Sequence, residues 1–243
     1  MHLVLKRSAL KHHRLAALIL LLALLVYHSA LAENLAALDP KYALCNAGEQ
    51  QAPINIERAV LADLPALKTR YLPGPATVRH NGHSLEVLTD TKGEFRLGNK
   101  VYEFVQLHFH TPSAEHIQGR IYPLVAHLVH RDEKGALAVI AIQFEQGKEN
   151  NGLAQLLGVM PRHKDDAYVL GHFNVEQFLP AQRDYFVYKR ALPDPACIEK
   201  VRWHLLKTPV EVSQAQIATF QLMFPTDSHS VQPVSPRTVR VSG

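Results

Sequence analysis

The chain has 243 residues, 47% hydrophobic and 20% charged, a globular make-up that excludes a disordered chain. Its net charge of +4 comes from 26 Lys and Arg against 22 Asp and Glu. Four of the basic residues, Lys6, Arg7, Lys11 and Arg14, stand in the first 32 positions, which hold no acid. The remainder is formally neutral and offers no electrostatic footprint for nucleic acid.

In chain order, the basic start is followed by an uncharged run from Leu15 to Tyr27 and then by Ala30-Leu31-Ala32, a small-x-small cleavage pattern. This predicts a secretory signal peptide over 1–32, cleaved to leave Glu33 at the N-terminus, and a periplasmic or secreted protein. The apolar run makes roughly 20 Å of helix, short of the ~30 Å of hydrocarbon in a bilayer. The alternative is an uncleaved anchor whose helix borrows Ala30 to Ala32. Nothing downstream reads as a membrane span, so no membrane contact is expected after cleavage.

Residues 33–243 contain no repeat, low-complexity run or linker and read as one domain. Cys45 and Cys197 are an even pair in an oxidising compartment, which makes one disulfide the default, with two unrelated buried thiols as the alternative. Period-two alternation predicts strands over Leu85–Thr89, Phe95–Leu97, Tyr102–His110, Leu124–His130, Ala136–Phe144 and Phe186–Leu192, with another over Val201–Val212. Turn signals separate them, among them Asn81-Gly82, Gly98-Asn99 and Gln118-Gly119. Helical signals are short: Gly152–Val159, Val175–Phe178, and Ser213–Phe224, which opens at a Ser N-cap and stops at Pro225. The domain is mainly β with a few short surface helices.

Within the strand ending at His110, alternation sets Val105, Leu107 and Phe109 on one face, and Gln106, His108 and His110 on the other. The next strand puts Val125, His127 and Val129 on a shared face, and a connection of about a dozen residues suffices to bring His127 beside the pair. Three neutral imidazoles without a thiolate suit zinc and leave a fourth position for water. Gln106 is placed to hold the second ring nitrogen of His108. Spacing alone is equally compatible with three histidines lining a solvated sheet face.

Five segments then carry a resemblance: QAPINI at Gln51–Ile56, NGHSLEV at Asn81–Val87, FVQLHFHTPS at Phe104–Ser113, YPLVAHLVH at Tyr122–His130, and ALPDPACIEKVRWHLLKTPVEVS at Ala191–Ser213. In this order and spacing the chain resembles the α-class carbonic anhydrases in their bacterial secreted form, from about Cys45 to Val239. The resemblance implies a twisted, mostly antiparallel sheet of about ten strands. It implies zinc ligands at His108, His110 and His127, and a proton-shuttle histidine at His83. It places Val129, Val139, Leu192 and Trp203 around an apolar pocket for carbon dioxide, with Tyr188 as a hydrogen-bonding tyrosine behind the site. Cys45 and Cys197 fall on the bacterial disulfide pair. The implied reaction is reversible hydration of carbon dioxide to bicarbonate and a proton, by a monomer or a homodimer.

The chain also departs from the pattern around the metal. Where the family has a threonine that orients the attacking oxygen, a gap-free alignment sets Pro193, with neither hydroxyl nor backbone N–H. Asp194 comes next and adds negative charge. The glutamate partner of that threonine falls on Ala114 without gaps, or on Glu115 with a compensated one-residue shift. Val125 replaces a glutamate that holds the third ligand, His127. Leu35, Asp227, His229 and Ser230 are further departures near the termini.

This contrast leaves three readings. The first, and the preferred one, is a secreted carbonic anhydrase of reduced activity. The second is a catalytically weak or inactive relative that serves as a zinc-holding binding module. The third is a periplasmic zinc-binding protein, favoured only by the 11 histidines of residues 33–243.

Overall fold

The computed structural model describes residues 53–190, 201–225 and 238–243. The predicted leader at 1–32, both cysteines, and Leu192, Pro193 and Asp194 lie outside the described residues, as do Leu35, Asp227, His229 and Ser230. The elements run β1 (Asn55–Ile56), β2 (Val60–Leu61), β3 (Leu67–Tyr71), β4 (Gly74–His80), β5 (Leu85–Thr89), β6 (Gly93–Leu97), β7 (Lys100–His110), β8 (His116–Ile117), β9 (Arg120–Ile121), β10 (Leu124–Arg131) and β11 (Leu137–Gln146). Then come α1 (Asn151–Gly158), β12 (Ala167–Phe173), a 3-10 turn (Val175–Phe178), β13 (Tyr185–Arg190), β14 (Val201–Leu206), β15 (Val210–Val212), α2 (Gln214–Met223) and β16 (Arg240–Val241).

Ten strands pair in the order β12-β4-β5-β7-β10-β11-β14-β13-β16-β2; β6 extends from β7 to β3, and β15 lies against β11. Most pairs are antiparallel, while β14 and β15 run parallel to β11. β1, β8 and β9 make a small separate sheet. This is the mainly β architecture that the alternation predicts. No helix among the described residues is long and apolar enough to cross a membrane.

The central strands are buried on both faces, so β10 and β11 read as nearly continuous apolar runs rather than clean alternations. One face packs Leu107, Phe109, Leu128, Ile140, Ile142 and Phe144 against Leu153, Phe178, Ile217 and Phe220 of the helices. The helices are fixed by their caps. Asn150 accepts from the Leu153 N–H, and Ser213 and Gln216 form a capping box. The other face carries a smaller cluster containing Val125, Val129, Val139, Trp203 and Tyr188.

Three features differ from the sequence expectation. Val105 does not join Leu107 and Phe109. The ladder pairs Val129 with Gln106 but His130 with Phe104, so Val105 is the extra residue of a bulge. It packs with the Val125 and Trp203 cluster, while Phe104 turns to the helix side. The expected strand over Val201–Val212 is two strands, interrupted where Pro209 has no N–H to give the ladder. Strands β3, β4 and β12 carry no clear alternation in sequence; β12 is an edge strand with Tyr168 and Val169 exposed.

Candidate metal centre

The second face of the sheet is organised in cross-strand rows. One row crosses five strands as Gln106, Val129, Val139, Trp203 and Tyr188. The next runs Glu86, His108, His127 and Ala141. A third runs His110, Val125 and Gln143. The side-chain period of two puts all of these on the face opposite the helices.

His108, His110 and His127 converge at the middle of this face. Their ligand nitrogens all lie within 4.8 Å of one another. The ring of His108 stands at 90° to that of His110 and at 86° to that of His127. Nδ1 of His127 is 3.3 Å from Nε2 of His108. Two nitrogens each bonded at ~2.0–2.1 Å to a tetrahedral zinc are themselves about 3.3 Å apart, so the His108–His127 pair is spaced for that ion, and the nitrogen of His110 lies within 4.8 Å of both. An all-imidazole set with no thiolate and no ligating carboxylate is the kind that keeps a coordination position open.

The surroundings of each ring are specific. Nδ1 of His108 lies 2.9 Å from Oε1 of Gln106, where the Nδ1–H donates and leaves Nε2 to the cluster. The Trp203 ring meets His127 edge-on at 4.8 Å. Val129 and Val139 are paired neighbours beside His127 and are buried, as are Val125 and Tyr188. Glu115 is 0% exposed, and its Oε2 lies 3.5 Å from Nε2 of His127. Ala114 is also buried but carries no group that could reach a ring.

His83 stands apart from the three histidines, on an exposed turn. Asn81 Oδ1 accepts from the His83 and Ser84 N–H groups, and Gly82 takes a φ of +95° that suits glycine. Nδ1 of His80 accepts from the Gly82 N–H at 3.0 Å. His83 is three residues before Glu86, which pairs with His108.

Sequence reasoning missed two buried polar residues of this face. Glu86 sits beside His108 and is ion-paired with Arg79. Gln143 donates to the Ser113 hydroxyl at 3.3 Å and to the Glu115 carbonyl at 3.0 Å. The available signals were the parity of Glu86 between Leu85 and Val87, and an amide inside the otherwise apolar run of β11.

Comparison with known proteins decides the family: residues 37–242 match the eukaryotic-type carbonic anhydrases. The chain belongs to that family, the α-class. It is 35% identical over 211 residues to a carbonic anhydrase of Klebsiella pneumoniae, covering 85% of this chain and 86% of the relative. In structure it is similar to the α-carbonic anhydrase of Photobacterium profundum, with a TM-score of 0.78 and 34% identity over 82% of this chain and 92% of that one. It is also similar to the α-carbonic anhydrase of Thermovibrio ammonificans solved with sulfanilamide, with a TM-score of 0.80 and 35% identity over 86% and 94%. α-Carbonic anhydrases are enzymes that act on carbon dioxide and bicarbonate and, in general, depend on zinc.

Proposed function

We propose that this chain catalyses zinc-dependent, reversible hydration of carbon dioxide to bicarbonate and a proton, at a reduced rate, after export to the periplasm or the exterior. The observation that carries the reading is the convergence of His108, His110 and His127 beside an apolar row on one sheet face. Zinc held there supplies a Lewis acid that lowers the pKa of a bound water, an effect for which this family is the type case.

The chain's own residues do the rest. Gln106 fixes the tautomer and ring plane of His108. Val129, Val139 and Trp203 form an apolar wall that suits an uncharged, non-hydrogen-bonding substrate. Leu192 belongs to the same wall by the sequence resemblance. His83, exposed on its turn, carries the proton to solvent, a task an imidazole can perform. Pro193 offers no hydroxyl to orient the attacking oxygen, which sets the reduced rate.

Pro193 also supports a second reading, a zinc-holding binding module without turnover. Stopped-flow hydration of carbon dioxide by protein of measured zinc content separates the two. Turnover that disappears on chelation and in His110→Ala supports the enzyme. One zinc per chain with no turnover selects the binding module.

A further inference from the structure

The His127 ring has two edges, and the structure gives each a different neighbour. Nδ1 looks toward the other histidines, 3.3 Å from Nε2 of His108. Nε2 therefore points away from the cluster, and the Glu115 carboxylate lies 3.5 Å from it, within ion-pair range but longer than a hydrogen bond. Both side chains are inside the protein, at 2% and 0% exposure, where an ionised acceptor acts far more strongly than in water.

The backbone that carries this side chain is also held in place. The Ser113 hydroxyl donates to the Glu115 carbonyl at 3.0 Å, and Gln143 donates to the same carbonyl at 3.0 Å. On one side the Ser113 N–H donates to the Tyr122 carbonyl, and on the other the His116 N–H donates to the Ile54 carbonyl. The backbone on both sides of Glu115 is thus pinned, and the clamp reaches β11 through Gln143. Across from Gln143 stands Val125, two residues before His127 on its own face, with no polar atom in its side chain.

We infer that Glu115 is the positioning residue of His127: its carboxylate accepts the Nε2 proton, fixes the tautomer that leaves Nδ1 for the metal, and does so from the loop before β8 because position 125 offers no acceptor. The inference rests on the zinc-site reading above and adds the residue on which the third ligand depends.

The test uses the mature protein and its variants Glu115→Ala, Glu115→Gln, and Glu115→Ala with Val125→Glu. Zinc affinity is read by competition with a chromophoric chelator, the ligand field by absorption of the cobalt-substituted protein, and the fold by the melting temperature of the metal-free form. Glu115→Ala lowers zinc affinity about 10–100-fold and shifts the cobalt bands. Glu115→Gln, whose amide oxygen still accepts, loses less. Val125→Glu, which brings an acceptor back to the same ring from the strand itself, recovers much of the loss. Failure of wild type to bind zinc, or full zinc in His127→Ala, overturns the site assignment as a whole. Zinc bound by wild type and lost in His127→Ala, but unmoved in Glu115→Ala, overturns this inference alone. So does a loss that tracks a lowered metal-free melting temperature and is not recovered by Val125→Glu, since Glu115 is then a folding residue only.

Discussion

The Tyr71 hydroxyl donates to Nε2 of His130 at 2.8 Å, on the helix side of the sheet. The direction of that bond is set by the other edge of the ring, where Nδ1–H donates to the Leu128 carbonyl at 2.9 Å. His130 is therefore a neutral imidazole, packed edge-on against Phe95 and Phe104. Burial lowers its pKa to about 3. His204, which also packs against Phe95, is lowered to about 3 in the same way. Burial likewise holds the Tyr71 phenol well above its ordinary value, so the donor stays protonated.

These two rings should make the protein sensitive to acid. The unfolded chain protonates both imidazoles near ~6.5, while the folded protein refuses those protons down to about pH 3. Below pH ~6.5 the unfolded state binds more protons, so stability falls as pH falls toward 3, by up to about 1.4 kcal/mol per pH unit for each histidine. His204→Leu removes one of the two at little packing cost. Urea denaturation between pH 7 and pH 4 should show a shallower acid loss in the variant than in wild type; parallel curves would remove His204 from the account.

The Gln106 amide gives a second prediction. Its Oε1 is the acceptor for Nδ1–H of His108 at 2.9 Å. Gln106→Leu keeps the size and deletes the acceptor, and zinc affinity should fall about 10–100-fold. Gln106→Glu keeps an acceptor and should stay much closer to wild type. Equal affinities in Gln106→Leu and wild type, read by chelator competition, would show that the ring needs no partner.

Parity within one unbroken strand made much of the metal centre legible in sequence. His108 and His110 share a face because they are two residues apart, and the structure sets His127 directly opposite His108. Parity fails at a bulge. Counting back from His110 assigns Val105 to the helix side and Phe104 to the metal side, and the extra residue at Val105 reverses both. Glu115 was legible only as one of two alternatives with Ala114; both are buried, and the Glu115 carbonyl accepts from Ser113 and Gln143. Gln143 is on another strand, and no local pattern around Glu115 announces it. The exposed edge strand β12 was missed for the opposite reason: with Tyr168 and Val169 facing solvent it has no buried face to alternate.

Trp203 supports a third prediction, on packing beside the metal. It is 1% exposed and its edge meets the His127 ring. Trp203→Ala should destabilise the protein by about 3–5 kcal/mol, a cost typical of emptying so large a volume. Trp203→Phe keeps an aromatic edge and should recover most of that in urea denaturation. A loss below ~1 kcal/mol for Trp203→Ala would mean that the wall collapses inward and closes the cavity.

The leader can be checked directly. A basic start, a short apolar run and Ala30-Leu31-Ala32 support the proposal of export with cleavage after Ala32. Intact-mass measurement on protein from its native compartment should place Glu33 at the N-terminus. Met1 retained in a membrane fraction would turn the leader into an anchor.

The last prediction concerns Pro193 and separates rate from metal binding. Catalysis gains most from hydrogen-bonding groups already aimed at the reacting atom, and one such group is commonly worth ~10²–10³ in rate. Proline at 193 supplies neither a hydroxyl nor an N–H. Pro193→Thr should raise turnover in stopped-flow hydration toward that ceiling, with zinc stoichiometry unchanged, because a hydroxyl there is proposed to orient the attacking oxygen and not to hold the ion. Pro193→Ala is the control that restores the N–H alone; if it gains as much as threonine, the backbone donor or relief of the proline ring is responsible, not the hydroxyl. A gain in Pro193→Thr that vanishes when Glu115→Gln is added would show that the hydroxyl draws on the same carboxylate that faces His127. No gain in Pro193→Thr, with zinc in place and His83 intact, would mean that another group already orients the attacking oxygen and that the departure at 193 costs this chain nothing.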